Sequence, residues 1–397
     1  MAASTELTPT SPESKPPQII SILTGILDTV LVPILAVFSA LVIGGIIIIV
    51  TDAAVYAAFR EGGAGAGVAA AWQSVALAYS ALLSGSLGDA GAISESLVAS
   101  TPYIFAGLAV ALGFRGGVFN IGGEGQLLVA AGVSVVIGYS FQLPAIIHLP
   151  LALIGGMLGG AIYGAIPGYL KAKTGAHEVI NTIMMNYIAF RFFSWAFTGP
   201  LRRPGGDAPV TQEVYPSAYL PQIFEGYRFH WGFFLALVVS FAVWWLLFKT
   251  TLGFEIRTVG ANPNAARYGG IKITRVTVIT MGISGGLAGL AGANEVLGLN
   301  HFLADGFSAG YGFDAIALAL LGKSHPLGVV LASLLFGTLR SGATRMQSIA
   351  SIPIDIISVV QALVIVFIAA PAIVRWIYRV RVKADVEETI FTRGWGA

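Results

Sequence analysis

The sequence contains no cysteine, which excludes disulfides, thiol catalysis and cysteine-based metal sites. It is also short of charge. Asp, Glu, Lys and Arg make up 11% of its 397 residues, against about 25% in an average soluble domain. The net charge of +2 leaves no electrostatic footprint for nucleic acid. No group of His, Asp and Glu has metal-ligand spacing. No signal peptide is visible; residues 1–29 are polar and Pro/Ser/Thr-rich, with three acids against one lysine, and read as a disordered cytoplasmic tail. What is present is apolar: 56% hydrophobic residues, a mean hydropathy of +0.80 and 50 glycines, small residues that let membrane helices approach closely. These features predict an all-α polytopic membrane protein.

Runs long enough to span a bilayer, or to enter it as broken helices, lie near 30–51, 93–113, 123–141, 150–171, 178–198, 230–249, 273–297, 310–321, 326–346 and 353–376. The stretch 64–90 is rich in small and polar residues and reads first as an element lying on the membrane surface, with an extra span as the alternative. About ten spans place both termini, including the tail 377–397, in the cytoplasm by the positive-inside rule. On that threading 15 of the 22 basic residues are cytoplasmic. The loop 249–275 carries a net +4 and falls inside, whereas the large loop 199–229 has a net charge of zero and falls outside. The transmembrane domain is then 30–376.

Gly113 to Gln126 is the most unusual stretch. It sets an arginine, an asparagine, a glutamate and six glycines between two apolar runs. Such backbone is tolerated in a bilayer only where protein or a water-lined cavity meets it. It predicts a broken or re-entrant helix near 116–126, with a counterpart near 309–322 around Asp314. Each break is followed by a Pro-marked turn and a glycine-rich helix, and the threading runs the two sets in opposite directions. Two inverted repeats meeting at broken helices are a recurring transporter design, with the solute path between them.

The polar residues of these segments admit two readings each. Asn120 either caps the helix beginning near Gly122 or lines a polar passage, together with Glu124 and Gln126. Asp314 either caps a helix starting at Ala315 or faces the solute, beside the rings of Tyr311 and Phe313. Asn181 and Asn186, five residues apart, do not share a narrow helix face, so one of them supplies an interhelical hydrogen bond. His177 reads as a cap or loop contact.

Two enzyme-like signals fail on inspection. Gly322-Lys323-Ser324 superficially matches the end of a phosphate-binding loop, but residue 317 is alanine where that loop needs glycine. The chain is therefore expected to bind no nucleotide or metal itself. Gly282 to Gly285 matches the serine motif of intramembrane proteases, yet all five histidines fall in loops or at helix ends. A secondary transporter using Glu124 and Asp314 as ion carriers is the main alternative function. In the loop 249–275, Asn262 is placed to cap a short helix, Pro263 to Tyr268, closed by Gly269 and Gly270. Six residues cannot hold a helix in water alone, so the segment calls for a cytoplasmic partner.

Five blocks carry a resemblance: GLAVALGFRGGVFNIGGEGQ (107–126), GAHEVINTIMMNYIA (175–189), RTVGANPNAARYGGI (257–271), SGGLAGLAGANEV (284–296) and GFDAIALALLGKSHPLGVVLASLLFG (312–337). In this order they resemble the permease subunits of ATP-binding-cassette importers of the branched-chain amino acid/ribose/nucleoside superfamily, most of all the nucleoside type. The resemblance covers roughly residues 90–376. It implies a non-enzymatic permease of the prokaryotic plasma membrane that dimerises with itself or a related permease. It further implies two cytoplasmic ATPase subunits, which use the ATP and magnesium, and an external solute-binding lipoprotein. The family's coupling segment corresponds to Arg257, Gly260, Asn262, Ala265, Ala266, Arg267, Gly269, Gly270 and Ile271. Nucleoside is the first solute implied, then simple sugars, then branched-chain amino acids.

Overall fold

The computed structural model describes residues 18–379 except 206–207 and 308–309. Most of the expected N-terminal tail, 1–17, and of the C-terminal tail, 380–397, lies outside the described residues. The described residues are mostly helical and contain isolated β-bridges but no strand.

The helices in order are α1 (Gln18–Thr51), α2 (Ala53–Leu87), α3 (Ala90–Arg115), α4 (Gly123–Ser140), α5 (Ala145–Thr174), α6 (Glu178–Thr198) and α7 (Gly232–Lys249). There follow α8 (Thr251–Ala261), α9 (Pro263–Tyr268), α10 (Ile273–Glu295), α11 (Tyr311–Leu321), α12 (Pro326–Ala350), α13 (Asp355–Ala369) and α14 (Pro371–Tyr378). A π-helical turn, Val296–Asn300, extends α10. Among the described residues, seven segments are long and apolar enough to cross a bilayer: Pro33–Thr51, α2, α3, α5, α7, α10 with its π-turn, and α12. The predicted spans α4 and α6 are helices outside that set, and α11 and α13 are shorter apolar helices.

Four expectations are corrected. Helix α1 begins at Gln18, so residues 18–29 are helical rather than part of a loose tail. The stretch 64–90 does not match a surface element. Gly63, at φ +71°, bends α2 sharply, and the Phe59 ring comes back against Gly67. The arm after the bend runs antiparallel to α1, with the Tyr79 hydroxyl bonded to the Leu41 carbonyl and Gly45 facing Val75 and Tyr79. Its other side packs on α12, where a Cβ on Gly85 would strike Arg345, and Trp72, Leu77 and Leu83 stay exposed, as lipid-facing residues are. The extra span is the better reading. The run 353–376 is two helices, because Pro371 cannot continue α13 and opens α14 instead. Helix α11 starts at Tyr311, which places Asp314 inside its first turn rather than at its cap.

The centre is built from α3, α4, α5, α10, α11 and α12. Helices α5 and α10 cross on glycine: Gly156, Gly160 and Gly164 meet Gly285 and Gly289 so closely that a Cβ on Gly164 would lie 2.7 Å from the Met281 carbonyl oxygen. The glycine-rich SGGLAGLAG run is thus a helix interface, as its composition predicts. Ser284, the residue of the protease-like motif, spends its hydroxyl on the Ala109 carbonyl at 2.7 Å.

Candidate functional site

The chain between α3 and α4, residues 116–122, is the predicted break, and every polar side chain in it is accounted for. Asn120 is buried; its Nδ2 donates to Gln126 Oε1 and to Ser284 Oγ, both at 2.9 Å. Its Oδ1 accepts from the Gly122 N–H and from Gln126 Nε2, each at 3.0 Å. From α6, Asn186 Oδ1 accepts from the Gly125 N–H (2.8 Å) and its Nδ2 donates to the Ile121 carbonyl (2.9 Å). Asn186 is therefore the interhelical member of the asparagine pair, while Asn181 Nδ2 is buried without a partner. His177 occupies the N-cap position of α6 without a side-chain cap bond.

Glu124 does something the sequence did not disclose. Its carboxylate accepts from the Gly310 N–H at 3.1 Å and from the Gly312 N–H at 2.6 Å. These are amides at the start of α11, where the helix dipole favours a negative charge. Gly123 and Gly312 abut, with a Cβ on Gly123 only 3.4 Å from the Gly312 Cα. The two predicted breaks, far apart in sequence, are clamped N-terminus to N-terminus by one buried carboxylate.

Asp314 belongs to a second cluster. The Tyr103 hydroxyl on α3 donates to Asp314 Oδ2 at 3.0 Å, and Arg340 Nη1 on α12 donates to the Tyr103 oxygen at 2.9 Å. Arg340 lies over the ring of Tyr311, 5.2 Å from its centroid, and that ring meets Tyr103 edge-on at 5.0 Å. Tyr103 and Arg340 were missed in the sequence, although an arginine inside an otherwise apolar helix is itself a signal. Phe313, next to the cluster, is exposed.

At one end of the bundle sits the basic loop. Asn262 Oδ1 accepts from the N–H groups of Asn264 (3.0 Å) and Ala265 (3.1 Å), Pro263 opens α9, and Gly270 at φ +79° closes the turn, as the spacing predicts. Ala266 is buried beneath α9, whereas Ala265, Arg267 and Tyr268 face outward. Gly260 in α8 touches the main chain of the break: its Cβ would lie 2.8 Å from the Gly117 N, and Gly117 itself has φ +67°. Arg115, at the same turn, donates through Nε to the Ser324 carbonyl at 3.1 Å. That bond holds the Gly322-Lys323-Ser324 turn in which Lys323 and Ser324 both take positive φ, a helix-ending turn and not a phosphate loop. Arg257 lies over Phe248, 5.2 Å from the ring centroid. The nine predicted coupling residues thus form one surface hairpin seated on the first break.

The loop 199–229 covers the opposite end of α3 and α10. Arg228 pairs with Glu95 near the start of α3, Leu220 N–H donates to the Leu297 carbonyl, and Val214 N–H donates to the His301 carbonyl, the last two at 2.8 Å. Tyr219 stacks on His301 at 3.6 Å between centroids. Burial holds the His230 imidazole down to about 4, with His301 adding to the effect, and His301 is lowered for the same reason. The His230 ring is therefore neutral at pH 7.

Comparison with known proteins matches the chain to one family. The model of the branched-chain amino acid transport system permease component covers residues 92–369. The guanosine ABC transporter permease protein NupP of Bacillus subtilis is 40% identical over 88% of this chain and 96% of its own length. The nucleoside ABC transporter permease protein NupB of Lactococcus lactis is 35% identical over 75% of the chain and 84% of its own length. The glucose ABC transporter permease protein TsgB13 of Haloferax volcanii is 32% identical over 78% of the chain and 83% of its own length. No solved structure matches. The chain belongs to the permease-component family of branched-chain amino acid type transport systems.

Proposed function

We propose that this chain is the permease of an ATP-driven importer that carries a nucleoside into a prokaryotic cell across its plasma membrane. The observation that carries the reading is mechanical. An exposed, capped helix too short to stand alone, α9, is fixed through α8 and Gly260 to the main chain at Arg115–Gly117, which leads directly into the clamped breaks of α4 and α11. A partner pushing on α9 moves the backbone at the centre of the bundle. In this reading α9 is the dock for a separate ATPase subunit, which holds ATP and magnesium, and the permease itself performs no chemistry. Residues Arg257, Gly260, Asn262, Ala265, Ala266, Arg267, Gly269, Gly270 and Ile271 form and seat that dock.

The two breaks are the meeting point of two inverted repeats, and the solute passes near them, past Asn120, Glu124, Gln126, Asn181, Asn186, Phe313 and Asp314. A second permease completes the passage, and an external binding lipoprotein delivers solute to the 199–229 side. That orientation places the basic loop 249–275 and both chain ends in the cytoplasm. Nucleoside is chosen because the two relatives named for guanosine and nucleoside align over at least three quarters of this chain. The relative named for glucose makes a simple sugar the competing solute. Uptake of labelled guanosine in competition with excess adenosine, ribose, glucose or leucine tests it. Competition by adenosine alone supports the reading, and competition by glucose or leucine alone overturns it.

A further inference from the structure

Glu295, the last residue of α10, is buried (6% exposed), and its Oε1 has no hydrogen-bond partner among the protein groups. The next residue begins the π-helical turn Val296–Asn300, a helix distortion that recurs at functional sites. Arg340 and Arg228 are near enough to act on Glu295 electrostatically, and Glu295 acts in the same way on Tyr311. Glu295 therefore lies beside the Tyr103–Tyr311–Asp314–Arg340 cluster. Arg340 and Asp314 are only half-buried, and Phe313 beside them is exposed.

A buried carboxyl oxygen without a partner is costly in any fold, and more so in a membrane segment. In either protonation form a carboxyl group presents an acceptor oxygen, which a donor would satisfy. A free cation would face the guanidinium of Arg340, and an anion would face two carboxylates. A neutral solute with paired hydroxyl donors meets neither penalty. The ribosyl cis-diol of a nucleoside is such a group, and an acidic side chain accepting from ribose hydroxyls is a recurring solution. We infer that Glu295, with Tyr311 and Arg340 beside it, forms a solute station in this permease and accepts hydrogen bonds from the ribosyl hydroxyls of the passing nucleoside. The inference rests on the nucleoside-import reading and adds a residue and a chemical handle to it.

The test uses the complete transporter, with its ATPase, second permease and binding protein, in proteoliposomes. Uptake of guanosine is compared with uptake of its dideoxy analogue, which lacks both hydroxyls of the diol. The same binding protein serves wild type and variant, so a change in the ratio of the two uptakes belongs to the permease. Glu295→Gln lowers kcat/KM for guanosine roughly 10-fold or more and leaves the analogue within about twofold, the loss expected for a hydrogen bond to a charged acceptor. If Glu295→Gln fails to assemble, Glu295→Asp, which keeps the charge and shifts its position, is expected to reduce the same ratio. An unchanged ratio, whether both uptakes hold or both fall together, overturns the inference and leaves the import reading standing. Failure of the wild-type complex to carry guanosine overturns both.

Discussion

Glu124 illustrates how far a single side chain reaches in this fold. By sequence it belongs to the first turn of α4, but its oxygens serve the first turn of α11 through Gly310 and Gly312. A hydrogen bond to a charged acceptor is worth about 1.5–3 kcal/mol. Glu124→Gln, which keeps one carbonyl acceptor and loses the charge, is expected to destabilise the detergent-purified complex by an amount of that order and to lower its Tm. Because the carboxylate is committed to backbone amides, KM for solute is expected to stay near wild type. A large rise in KM at unchanged Tm would assign Glu124 to solute contact instead. The double commitment was not legible in sequence: Gly310 is 186 residues away, and nothing local marks it as a partner. Asn262 shows the opposite case. Its cap partners are the next two or three residues, so Asn-Pro followed by Gly-Gly was enough to place α9.

Among elements, the α5–α10 crossing is the most extensive helix–helix contact of the described residues. Backbone meets backbone at Gly160 and Gly285, where an added Cβ has no side chain to push aside. Gly285→Val is expected to separate the helices at a cost of about 1–3 kcal/mol or more, seen as loss of folded protein in membranes, whereas Gly63→Ala acts only through its positive φ on the bend of α2. Normal expression of Gly285→Val would contradict the observed packing. The break at 116–122, the glycine-rich entry to α11 and the α9 hairpin were legible because polar and Gly/Pro residues interrupt apolar runs there. The bend in α2 was not, because a single glycine among many small residues gives no distinctive signal. The cluster of Tyr103, Asp314 and Arg340 escaped for another reason: its members come from three helices that only tertiary packing brings together.

His230, between the 199–229 loop and α7, carries a pH prediction at the same scale. His230 takes its proton near pH 6.5 when unfolded and only near 4 when folded. Between those values the unfolded state binds more protons, so stability is full above about 6.5 and falls as pH drops toward 4. The loss is on the order of 3 kcal/mol if the whole shift is realised. Melting of the purified protein between pH 7.5 and 5 is expected to show it, with a shallower slope in His230→Gln. A pH-independent Tm over that range would contradict the buried neutral imidazole.

At the scale of the whole molecule, the account joins a surface helix at one end to a polar centre and a covering loop at the other. Arg267 is exposed on α9, so Arg267→Glu is expected to leave the fold and its Tm unchanged. It is expected to reduce co-purification of the ATPase subunit and to cut solute uptake at least about tenfold, the scale of truncating a charged interface contact. Unchanged association and uptake would remove α9 from the coupling path.

The most direct measurement of the central claim is uptake by the purified transporter in sealed proteoliposomes with the energy source varied. Labelled guanosine and binding protein are supplied outside, and ATP with magnesium is supplied at the face bearing α9. Import is predicted only when the permease, its ATPase and hydrolysable ATP are all present, and it is predicted to fall at least about tenfold with Arg267→Glu. Accumulation by the permease alone, driven by a proton or sodium gradient without ATP, would contradict the account and make the chain a secondary transporter.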